Sequence, residues 1–145
     1  MSEFDDFDLQ DFLPYLLNQA AEASSLSFQH VYKSRYGMLR TEWRVLFHLG
    51  RYGRMTAKEI GQRAKTHKTK ISRAVQRLAE RRFLVRERDE TDRRSEYLEL
   101  TTAGQAAYRE LRSVAAEYDA RLAAQFTPDE AAQLRAMLHR LAGEG

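Results

Sequence analysis

Apolar residues recur every three or four positions along most of this chain, the pattern of helices that each bury one stripe. Leu13, Leu16, Leu17, Ala20 and Ala21, continued by Phe28, Val31 and Tyr32, predict a first helix from about Asp11 to Tyr36. Pro14 fits only near its start, where the missing N–H costs nothing, and Gly37 supplies the stop. Thr41 is expected to cap a short second helix carrying Trp43, Leu46, Phe47 and Leu49, which closes between Gly50 and Gly53. Thr56-Ala57-Lys58-Glu59 spells a capping box and opens a third helix through Ile60 and Ala64. After the polar break Lys65-Thr66-His67, the residues Ile71, Ala74, Val75 and Leu78 define the inner face of a fourth helix. Its outer face shows Lys68, Thr69, Lys70, Ser72, Arg73, Gln76 and Arg77.

Beyond Phe83 the period shortens. Leu84 to Arg88 and Ser95 to Leu100 read as two strands joined by the polar turn Asp89-Glu90-Thr91-Asp92-Arg93-Arg94, a β-hairpin. Thr101 or Thr102 then caps the longest helix, striped by Ala103, Ala107, Leu111, Val114, Ala115, Tyr118, Leu122 and Phe126. Thr127-Pro128-Asp129-Glu130 opens the last helix, with Leu134, Met137, Leu138 and Leu141. The expected fold is mainly α with a small β-hairpin wing. Its divisions are an N-terminal helix over residues 1–40, a winged helix-turn-helix over 41–100 and C-terminal helices over 101–145.

Charge changes this picture from a helical fold to a helical fold with a partner. Residues 1–40 carry a net charge of −3, residues 41–95 carry +9 and residues 96–145 carry −3. A basic middle between acidic ends is what a surface that meets a polyanion requires, and double-stranded DNA is the expected partner. The 145 residues contain no cysteine, which removes disulfides, thiolate metal sites and Cys nucleophiles together. No apolar run of about 18 residues is present, so no membrane helix is expected. The start, with Glu3, Asp5, Asp6, Asp8 and Asp11 and no base, is not that of a secretory signal. A cytoplasmic location is expected.

A pair of short helices with a tight break between them makes position-specific demands. The helices cross steeply, so a small residue must sit midway along the first, where Gly61 stands. Ten residues later an apolar plug is needed, and Ile71 supplies it. The second helix must offer short polar and basic side chains to base edges in the major groove, and Lys68, Thr69, Lys70, Ser72 and Arg73 occupy its first turns. Arg77, Arg81 and Arg82 lie further along and suit phosphates. Arg93 and Arg94 at the hairpin tip suit an adjacent minor groove.

Trp43-Arg44-Val45-Leu46, Ile71-Ser72-Arg73, Arg77-Leu78, Asp92-Arg93-Arg94 and Leu100-Thr101-Thr102-Ala103-Gly104 together resemble the MarR family of bacterial transcription regulators. The resemblance runs nearly the whole chain in order. It implies a homodimer joined through the terminal helices, with one winged helix per subunit on a pseudo-palindromic site. It also implies that Asp92 steadies Arg94 in the minor groove. A repressor released by a small aromatic or phenolic acid is the implied mode of action, with Tyr32, Arg35, Tyr36, Trp43, Arg44 and Phe47 as candidate lining. Two positions depart from the pattern: Lys65 stands where the turn often has Gly, and Arg82 where the reading helix often ends on Gly.

Physics alone also favours a two-fold partner, because the terminal stripes exceed what the central unit can cover; the alternative is that they fold back on their own core. His30, His48, His67 and His139 lack paired-ligand spacing, so no metal or other cofactor is expected, and His48 and His67 read as surface or capping residues. No Gly-x-Gly-x-x-Gly, phosphate-binding loop or nucleophile elbow occurs, so no enzyme is expected. The alternative to a regulator is an effector-independent architectural or protein-interaction winged helix.

Overall fold

A computed structural model describes residues 6–92 and 94–143. The chain divides into two compact units, residues 1–40 and 41–145.

In the first unit a short 3-10 turn, Leu9–Asp11, is capped by the Asp8 carboxylate, which accepts the Gln10 N–H at 2.9 Å. The long helix α1, Leu13–Tyr36, follows with Pro14 in its first turn. Gly37 ends it in the left-handed region at φ 62°, where a side chain would be strained, and donates its N–H to the Lys33 carbonyl. Arg40 pairs with Glu22 at 3.2 Å and also donates to the Ser25 hydroxyl. Phe7, Leu9, Phe12, Leu13 and Leu16 remain solvent-exposed.

The second unit contains α2 (Arg40–Tyr52, its first residue belonging to the unit before), β1 (Met55–Thr56), α3 (Ala57–Ala64), α4 (Lys68–Glu80), β2 (Leu84–Arg88), β3 (Glu96–Leu100), α5 (Thr102–Ala123) and α6 (Pro128–Leu141). The strands form one antiparallel sheet in the order β1-β3-β2, with Met55 opposite Leu98 and Leu84 opposite Leu100. Two details differ from the sequence expectation. Helix α2 begins at Arg40, so Thr41 lies within the helix and is not its cap. The strand β1 was not foreseen, because two residues are too few to show an alternation.

The core is built where the periodicities meet. Val45, Leu46 and Leu49 of α2, Ile60 of α3, and Ile71, Ala74, Val75 and Leu78 of α4 are buried. Leu84, Leu98 and Leu100 of the sheet and Ala107, Tyr108 and Leu111 of α5 are buried as well. Each large side chain in such a core contributes about 1.5–3 kcal/mol by leaving water. Beyond Leu84, β2 has no buried residue, so the hairpin leaves the core and projects. Thr101 fastens α5 beneath it: its hydroxyl donates to the Arg82 carbonyl at 2.6 Å and its N–H to the Phe83 carbonyl at 3.1 Å. Gly104 then passes so close that a Cβ there would stand 2.0 Å from the Phe83 carbonyl oxygen. That approach requires glycine.

Candidate nucleic-acid interface

The helix pair α3–α4 begins with two caps. The Thr56 hydroxyl accepts the Glu59 N–H while the Glu59 carboxylate takes the Thr56 N–H, which fixes the start of α3. Within α3, a Cβ on Gly61 would lie 3.3 Å from the Thr66 carbonyl oxygen and 3.7 Å from Ile71 Cγ1, so the small residue allows the crossing. Lys65 closes α3 in the left-handed region at φ 51°. His67 then caps α4, its Nδ1 accepting the Thr69 N–H at 3.1 Å. That role places the proton of the neutral ring on Nε2.

Helix α4 is two-sided. Ile71, Ala74, Val75 and Leu78 face the core, while Lys68, Thr69, Lys70, Ser72, Arg73, Gln76 and Arg77 face solvent. Lys68, Lys70 and Arg73 hold no ion pair among the described residues, so their charges remain directed outward. Arg77 is different. Its guanidinium lies 3.6 Å from the carboxylate of Glu42, which is 1% exposed in the first turn of α2. A buried carboxylate needs such a partner, and the pair ties α4 to α2. Sequence reasoning missed Glu42, since a single acid in the first turn of a helix reads as a dipole complement.

The hairpin is braced along its strands and held by side chains at its tip. Arg86 forms a two-pronged bond with Glu96, at 2.9 and 3.1 Å, across the strands. Arg54 pairs with Glu87 at 3.2 Å and lies over the Tyr97 ring, 4.5 Å from its centroid. At the tip the Asp89 carboxylate accepts both the N–H and the hydroxyl of Thr91, which holds its pKa below the usual carboxylate value. Asp92 Oδ1 accepts the Arg94 N–H at 3.1 Å and stands 3.5 Å from its Nε. The Arg94 side chain is 94% exposed. Arg93 lies outside the described residues. Arg82 ends the helix turn at φ 64°, so both positions that depart from glycine adopt the left-handed backbone.

The aromatic residues proposed for a ligand fall in both units. Tyr32, Arg35 and Tyr36 belong to the end of α1, where Tyr32 packs edge-on to Phe28 at 5.4 Å. Trp43, Arg44 and Phe47 belong to α2, where Phe47 meets the rings of Trp43 at 5.0 Å and Tyr108 at 5.3 Å. No group of three or more metal-ligating side chains is found among the described residues, nor any helix long and apolar enough to cross a membrane.

The sequence profile of the MarR family matches residues 36–95, which spans α2, the helix pair and the hairpin tip. The homoprotocatechuate degradative operon repressor of Escherichia coli is 26% identical over 137 residues, covering 94% of this chain and 92% of the repressor. Over its central part the chain is therefore similar to the MarR family. A MarR family transcriptional regulator from Silicibacter pomeroyi superposes with a TM-score of 0.83 at 25% identity, covering 95% of this chain and 98% of that one. The E. coli MarR protein solved with operator DNA gives 0.79 at 21% identity, covering 89% and 92%. MarR proteins are transcription regulators and not enzymes, and this chain has their winged-helix fold.

Proposed function

We propose that this protein is a cytoplasmic repressor of the MarR family that binds a pseudo-palindromic DNA site as a homodimer. The observation that carries the reading is the outward face of α4, where Lys68, Thr69, Lys70, Ser72 and Arg73 stand exposed in its first turns. Inserted in a major groove, these side chains meet base edges, and Arg73 offers the two-pronged donor that suits guanine. Arg77, Arg93 and Arg94 contact the backbone and the neighbouring minor groove, with Asp92 orienting Arg94. Two-fold symmetry sets the two reading helices about 34–36 Å apart.

The homodimer is supported by what single subunits leave uncovered: Phe7 to Leu16 in the first unit, and Leu134, Met137, Leu138 and Leu141 on α6. A small aromatic acid as the releasing signal is supported by the relative whose name couples it to homoprotocatechuate, a catechol acid. Within the second unit, Trp43, Arg44 and Phe47 are the residues proposed to receive it.

The test is selection of bound DNA from a random pool, followed by titration of Arg73→Ala on the selected site. The variant is expected to lose about 1–3 kcal/mol of specific affinity and to accept changes at one base pair per half-site. An unchanged footprint and affinity would remove α4 from the groove. Equal affinity of the parent for every duplex would favour an architectural protein.

A further inference from the structure

The left-handed backbone at Lys65 comes with a long-range contact. Lys65 Nζ donates to the carbonyl of Ala142, the C-cap of α6, 77 residues away. The same ammonium lies near Gly143, where an added Cβ would come within 3.8 Å of it. An ammonium beside the last carbonyls of a helix also complements the negative end of its dipole. None of the residues of α6 is buried, so contacts of this kind bear on how the helix is seated. A second tie is the pair between Arg135 and Asp119 of α5, at 2.9 and 3.2 Å, and both partners are exposed.

The position of Lys65 gives the contact a consequence. Its backbone N–H closes α3 on the Gly61 carbonyl, and Thr66 donates its own N–H to the same carbonyl. His67, the next residue, caps α4. The turn is therefore the joint between the two helices of the reading unit, and the end of α6 is fastened to the first residue of that joint.

We propose that Lys65 is a positioning residue that links the seating of α6 to the pose of the reading helix. Glycine would satisfy the backbone at this site more easily but has no side chain with which to reach α6. The consequence for DNA binding rests on the homodimer proposed above, in which α6 is part of the joint surface; the tie itself does not.

Lys65→Asn separates the roles, because Asn tolerates the left-handed region but carries no ammonium. In the DNA-free full-length protein, amide exchange at Leu141, Ala142 and Gly143 and at Thr66 should quicken several-fold, with the protection of Ile71 to Leu78 unchanged. Affinity for the selected site should fall about tenfold, the usual scale for a lost bond to a charged group. Affinity for random duplex should change little. In a chain ended after Arg140, which lacks the accepting carbonyl, Lys65→Asn should cost nothing further. Unchanged exchange at the end of α6, or an equal loss in both chain lengths, would overturn the proposal and leave Lys65 a phosphate contact. Sedimentation of the same samples keeps the two readings apart: a monomer would unseat the homodimer, while the exchange data would still judge the tie.

Discussion

Helices α4 and α6 are nearly equal in length, 13 and 14 residues, and both carry an apolar stripe, yet a single chain treats them differently. In α4 the stripe of Ile71, Ala74, Val75 and Leu78 is buried, with α3 and β2 packed against the helix. In α6 the stripe of Leu134, Met137, Leu138 and Leu141 stays 38–60% exposed. An isolated helix of this length is marginal in water, so its stability has to come from packing. The helix pair is complete within one chain, whereas the α6 stripe stays exposed. Under the proposed function, this division keeps the geometry of α4 fixed by its own core and leaves assembly to the ends of the chain.

The sharpest way to break the comparison is to truncate one residue of each stripe. Leu78→Ala, at a position with no exposure, is expected to cost about 2–5 kcal/mol in denaturant unfolding. A loss below about 0.5 kcal/mol, the range of ordinary surface substitutions, would mean that the α4 core is loose. The second test places a charge on the α6 stripe. Leu138→Glu should convert a dimer into a species of 16.9 kDa by sedimentation and weaken binding to the full two-part site, with the helical content of the winged helix retained. Unaltered assembly would move the joint surface elsewhere.

Both helices were legible in the sequence, but the contacts between distant elements were not. The α4 face was legible because its buried and exposed positions alternate with the helical period, and the starts of α3, α5 and α6 because their caps use residues with a known geometry: Thr56 with Glu59, Thr101 before Gly104, Thr127 with Glu130. The hairpin was legible from its Asp- and Arg-rich turn. What stayed hidden were features made by residues far apart in the chain. Glu42 meets Arg77 across 35 positions, β1 exists only because Leu98 and Tyr97 lie opposite it, and Lys65 finds its acceptor at Ala142. No local pattern encodes such pairs, since they depend on how helices already formed come together.

The smallest expected effect compares the two left-handed residues themselves. Lys65 spends its unfavourable backbone on a contact with α6, whereas Arg82, at φ 64°, has an exposed side chain with no ion pair among the described residues. What Arg82 contributes to the fold runs through its backbone: its N–H donates to the Ala79 carbonyl and its own carbonyl accepts from Thr101. Glycine can make both bonds. A left-handed residue with a Cβ costs roughly 1–2 kcal/mol, and part of the gain on removing it is offset by the greater freedom of glycine when unfolded. Arg82→Gly should therefore stabilise the protein by about 0.5–1 kcal/mol, a rise of a few degrees in Tm for a chain of this size. Arg82→Ala keeps the Cβ and should show no such rise, so the difference between the two variants isolates the backbone. Equal melting temperatures would mean that the Arg82 turn relaxes without glycine. A gain for Arg82→Gly accompanied by weaker binding to random duplex would show that the guanidinium was retained for DNA phosphate, at a cost borne by the fold.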